Sequence, residues 1–157
     1  MTELAIILPL MLVMMLAAVD VGRLIYNDQV LTDLTRSAGN LVSRGSTAAE
    51  TFTATFAADQ TLDIQNKGGI IITRVRRRNT NNPQPWVFEQ DRSGANTTYA
   101  SKIGVVNGPA SIPNVTSLAP GVTIMGVEVV NQFTPLFPVS ALGLNFYPNT
   151  LYASAYF

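Results

Sequence analysis

Residues 1–45, MTELAIILPLMLVMMLAAVDVGRLIYNDQVLTDLTRSAGNLVSRG, read as one helix with two different surroundings. From Leu4 to Val19, sixteen consecutive residues carry no charged or hydrogen-bonding side chain, and Pro9 is the only poor helix former among them. After Asp20 the apolar positions become one-sided. Leu24, Leu31, Leu34, Ala38 and Leu41 recur at helical spacing, while Arg23, Asp28, Asp33, Arg36 and Arg44 fall on other faces. Gly45 is a stop, with Arg44 in the last turn where a cation suits the helix dipole. The predicted helix, 2–44, is a rod on the order of 65 Å long. Pro9 cannot donate to the carbonyl of Ala5 and should bend or loosen that turn. The all-round apolar half needs lipid or other apolar helices around it, whereas the one-sided half needs a head lying along one flank.

At 157 residues the chain has room for one domain with a real core. Ten basic and ten acidic residues give no net charge, and only 13% of the residues are charged, which argues against nucleic acid as the main partner. Cysteine and histidine are absent, so disulfides, thiolate chemistry and the usual base and metal ligand are unavailable. No glycine-rich phosphate loop follows a strand, and no carboxylate cluster appears; no enzymatic activity, cofactor, metal or small-molecule substrate is expected. The adjacent Ser101 and Lys102 would point to opposite faces of a strand.

The apolar run is marginal as a membrane span, since a bilayer core needs about 17 residues at least. It has the length of a secretory signal core, but Glu3 stands where such a signal carries basic residues, and the helix runs on past Asp20.

Beyond Gly45 the periodicity changes. Thr47-Ala48-Ala49-Glu50 has capping-box spacing and opens a short helix with Phe52 and Phe56 on its buried face, broken at Lys67-Gly68-Gly69. Strands are predicted over 70–76, 84–89 and 122–130, with Gly126 marking a bulge or a close backbone approach. In the last strand Leu151, Ala153, Ala155 and Phe157 alternate with Thr150, Tyr152, Ser154 and Tyr156; its small alanines would let the long helix lie close. The stretch 91–120, rich in Asn, Ser, Thr, Gly and Pro, reads as exposed loops. The expected fold class is α+β: an N-terminal helix over 1–45, apolar then amphipathic, packed on a small antiparallel β-sheet head over 46–157.

Three polar features remain. Asp20 and Arg23, three apart, form a charge pair or mark the boundary of the apolar region. Arg74, Arg76 and Arg78 would share one strand face, but no aromatic residue interleaves with them in the run, so a solvated face is expected. Asn96 and Asn114 head glycosylation sequons.

Glu3-to-Leu16, Asp20-Val21-Gly22-Arg23-Leu24-Ile25-Tyr26 and Arg36-Ser37-Ala38-Gly39, in that order, resemble the TadE-like pilins of tight-adherence type IV pili. Val127-Glu128-Val129-Val130, Thr134-Pro135-Leu136-Phe137-Pro138 and Leu151-Tyr152-Ala153-Ser154-Ala155 are similar to that family's closing hairpin; the middle of the chain is unmatched. In one respect the chain departs from the pattern: the family's glutamate usually stands fifth after the prepilin cleavage point, whereas here it is third and followed by Leu4, which leaves the position of the mature N-terminus open.

The resemblance implies a subunit of an extracellular filament. Such a subunit is held in the inner membrane and handled by the pilus assembly machinery before it polymerises. Self-contact is then expected through Met1, Glu3, Leu4, Ile7, Leu10, Met11, Met14, Met15 and Ala18. A carboxylate in an apolar setting costs about 2.5–3.5 kcal/mol at mid-membrane, so Glu3 is expected to pair with the terminal amine of a neighbouring copy. Two other readings share these features: a minor pilin at the tip, and a single-pass membrane-anchored extracytoplasmic binding or adhesion domain that never polymerises.

Overall fold

The computed structural model describes residues 2–96, 98–136 and 147–157, with the side chains of 2–6, 9 and 10 outside the description. Helix α1 runs unbroken over Thr2–Ser43, as the periodicity predicts. Its C-terminal half buries Leu31, Leu34, Ala38 and Val42, while Leu24 is half-buried against the same core. Thr35 joins them by turning its hydroxyl onto the Leu31 carbonyl, so that a buried polar group is satisfied within the helix.

Helix α2, Ala48–Ala58, begins at the expected capping box, in which Thr47 and Glu50 satisfy each other's backbone N–H groups. The helix ends at Ala58, short of the predicted breaker. Asp59 then accepts from the N–H groups of Thr61, Leu62 and Ile64, leading into a one-turn helix α3, Ile64–Lys67. Gly68 and Gly69 open a strand instead of a loop: a side chain at Gly68 would stand 2.2 Å from the Val130 carbonyl oxygen, so only glycine fits under the neighbouring strand.

Strands β1, Gly68–Asn79, β2, Asn82–Ser93, β3, Thr123–Gln132, and β4, Thr150–Tyr156, form one antiparallel sheet in the order β2-β1-β3-β4. All the strands overlap the predicted ones, and β1 and β2 are longer. The fold is therefore α+β. One sheet face carries Ile70, Ile72, Val127, Val129, Leu151 and Ala153 onto α1. The alanine-lined strand does bring the helix close. At Gly39 an added Cβ would stand 1.8 Å from Cε2 of Phe157, so the ring lies directly on the helix backbone.

The opposite face is covered by the segment 94–122. Ile103, Ile112 and Leu118 are buried there against Val75 and Val87, which corrects the expectation of a loop lying free on the surface. The segment is fastened to the β2 backbone, with Val87 N–H donating to Gly108 and Ala110 N–H donating to Pro85, both at 2.9 Å. Gly126 shows close approach without a bulge: Ile103 Cδ1 would be 2.4 Å from a Cβ there. The bulge falls in β2, where Phe88 is the extra residue between Val87 and Glu89 as they pair with Val75 and Arg74.

Candidate functional site

The described residues of the head leave the front of α1 bare from Ile7 onward. Ile7, Leu8, Met11, Leu12, Met14, Met15 and Val19 are all roughly half to three-quarters exposed, and Ala18 is exposed beside them. A protein that places this much contiguous apolar surface on one rod presents it to something apolar. Of the self-contact positions expected from the sequence, Ile7, Met11, Met14, Met15 and Ala18 lie on this bare stretch, whereas Met1 and the side chains of Glu3, Leu4 and Leu10 lie outside the described residues. The stretch also extends further than the apolar run. Val21, Ile25 and Tyr26 are exposed on the same rod, beyond the charge that ends the run. Among the described residues no helix is long and apolar enough to cross a membrane.

Where the bare half meets the docked half, the structure forms a collar. Asp20 is completely buried. It accepts a hydrogen bond from Arg23 Nη1 at 3.2 Å, so the expected pair forms. It also accepts from the backbone N–H of Leu136 at 2.9 Å, across 116 residues of chain. The segment after β3 is thereby held to the rod. Tyr147, from just before β4, reaches the same level and donates its hydroxyl to the Ala17 carbonyl at 3.2 Å. Phe133 packs edge-on to Tyr147, and the Arg23 guanidinium lies 6.0 Å from the Phe133 ring centre. Asp20 is thus a docking residue of the head. A Thr-Pro-Leu sequence in a turn gives no sign that its amide will seek that carboxylate, and sequence reasoning missed it.

Two further polar arrangements belong to the head. Glu128 is fully buried on the far face of the sheet and accepts from Ser101 Oγ, from the Lys102 amide at 2.8 Å and from Tyr152 Oη at 2.8 Å. Lys102 Nζ sits 3.7 Å from the centre of the Tyr152 ring. Ser101 and Lys102 therefore converge on one carboxylate from a loop, not from a strand, and they clip the covering segment to the sheet. Burial and the bond to Glu128 push the Tyr152 hydroxyl well above its ordinary range.

Arg76 and Arg78 are exposed, as a solvated face requires, but the run has partners within the head. Arg74 pairs with Glu89 and with Asp91 at 3.6 Å. Arg76 lies 5.0 Å from the Phe88 ring centre and Arg78 lies 4.5 Å from that of Trp86. The aromatic interleaving that the run itself lacks comes from the neighbouring strand. Of the sequon residues, Asn114 is exposed in a left-handed turn with φ 62°, and Asn96 is half-buried with its N–H bonded to the Gly68 carbonyl.

The rod is docked along one half, collared at Asp20 and, among the described residues, bare along the other. Residues 1–39 match the family model described as TadE-like protein, which spans the whole bare stretch and the collar's aspartate. No curated protein and no solved structure matches the chain. The similarity to the TadE-like family is thus confined to the N-terminal quarter of the chain.

Proposed function

We propose that the protein is a structural subunit of an extracellular type IV pilus-like filament, polymerising through the bare half of α1. The observation that carries this reading is the apolar surface from Ile7 to Tyr26, left uncovered by the described residues of the head, within the segment that matches the TadE-like family. Identical rods supply matching surface to one another, repeated by symmetry. Before assembly the same segment waits in the inner membrane, and assembly exchanges lipid for sister helices. Glu3 pairs with a terminal amine of a neighbouring copy and sets the axial register. The role is structural and not catalytic, and the partners are further copies and the assembly machinery.

Electron microscopy of sheared cell-surface material, with mass spectrometry of the subunit in it, tests the reading. Fibres composed of this chain are expected, whereas recovery only as detergent-extracted monomers would favour a membrane-anchored domain. Glu3→Ala is expected to cut filament yield at least tenfold while leaving the membrane pool of subunit intact, as read by immunoblot of the sheared and membrane fractions. Unchanged yield removes the role given to Glu3.

A further inference from the structure

The end of the sheet farthest from the collar carries charge that the molecule does not neutralise. Every acidic side chain of the head is engaged: Glu50 in its cap, Asp59 on three amides, Asp63 with Lys67, Glu89 and Asp91 with Arg74, and Glu128 with its three donors. Arg76, Arg77 and Arg78 have no carboxylate among their described partners. The three stand at the end of β1 beside a cleft of about 290 Å³ lined by Arg76, Arg77, Gly121, Val122 and Thr123.

Their guanidiniums are held in place. Arg76 Nε donates to Thr123 Oγ1 at 3.1 Å while its plane lies by Phe88, which leaves its terminal nitrogens for a ligand. Arg77 Nη2 donates to the Thr80 carbonyl at 2.7 Å, yet its Nε is buried with no hydrogen-bond partner. A buried donor without an acceptor costs about 1–3 kcal/mol. A guanidinium already fixed by a ring and a hydroxyl loses little freedom on binding, and its fork matches the oxygens of a carboxylate, phosphate or sulfate.

We infer that this cleft is an oxyanion-binding site at the tip of the head, with Arg76 and Arg77 as its ligands and Arg78, placed by Trp86, supplying field. The cationic run is short. Arg74, next on the same face, is already neutralised by Glu89 and Asp91, so the site takes one anionic group, two at most, and not a phosphate backbone tract. The anion is a carboxylate, phosphate or sulfate group, carried either by a neighbouring copy or by a molecule outside the filament.

Trp86 is the only tryptophan in the chain and pairs across the strands with Arg76, so its fluorescence reports on the site. Full-length protein in a non-ionic detergent is titrated with inorganic phosphate and with sulfate, against chloride at equal ionic strength. A saturable change with phosphate or sulfate that chloride does not give is expected, with at least tenfold weaker apparent binding in R76Q/R77Q. An R78Q variant that keeps both cleft ligands is expected to lose less, about threefold. No response beyond chloride, or the same response in R76Q/R77Q, overturns the site. The inference stands apart from the filament reading, because the titration needs no polymer. Given a site, loss of filaments in R76Q/R77Q assigns the anion to a neighbouring copy, and unchanged filaments assign it to an outside molecule.

Discussion

Asp20 shows how one side chain decides where a rod stops being free. Its carboxylate is buried completely, and two of its partners differ: the Leu136 amide is part-buried, whereas the Arg23 side chain is 41% exposed. The amide bond should therefore carry more of the stability, because the half-exposed arginine is screened and solvated when unpaired. Asp20→Ala is expected to cost about 1–3 kcal/mol, and Arg23→Ala less than about 1 kcal/mol, as shifts in the urea midpoint of the detergent-solubilised protein. Equal costs would mean that the ion pair carries as much of the stability as the carboxylate's other bonds together. Tyr152 makes a second residue-scale statement. Its hydroxyl titrates higher in the folded protein than in the unfolded chain, because burial and the bond to Glu128 both disfavour the phenolate. The folded state thus holds that proton more tightly, and its contribution is complete below the ordinary tyrosine range, near pH 10. Stability should fall as pH rises through and above that range. Tyr152→Phe should flatten the fall in an unfolding series from pH 8 to 11.

Among the elements, α1 and β4 pack closely enough that the ring of Phe157, the residue after β4, rests on Gly39. Gly39→Ala is expected to push the Phe157 ring off the helix, since 1.8 Å is far inside van der Waals contact. Pairing it with Phe157→Ala should recover part of the loss, because the ring is the obstacle. A double-mutant cycle by thermal unfolding reads that coupling, and strictly additive losses would show that the backbone, not the ring, sets the spacing. These elements were legible in sequence wherever a period was sustained. The helix declared itself over forty-two residues, and β4 through strict alternation. The covering segment 94–122 did not, because Ile103, Ile112 and Leu118 are too far apart for any period and sit among turn formers. Helix α3 is a single turn held by Asp59, too short for a pattern. The arginine-aromatic contacts depend on a register that carries a bulge at Phe88, which no reading of β1 alone supplies. Of the candidate site, the bare apolar stretch was legible from its composition, whereas the collar was not, since its decisive bond joins residues 116 apart.

At the scale of the molecule, two ends face different tasks. One end is an apolar rod without cover, and the other is a sheet tip with fixed, unneutralised guanidiniums. The collar lies between them. The proposed filament would meet both tasks by packing rods side by side with the heads outward. The absence of cysteine makes this directly testable, since any cysteine introduced is the only one present. Met15→Cys, on the most exposed of the large apolar residues of the rod, is to be expressed in the native host and oxidised on sheared surface material. Non-reducing electrophoresis should then show disulfide-linked dimers of this chain from the surface fraction, which disappear on reduction and are absent when cysteine is placed instead at the buried Leu31. Surface material that yields only monomer from Met15→Cys, with position 15 reporting a lipid environment alone, would contradict burial of the rod by its own copies.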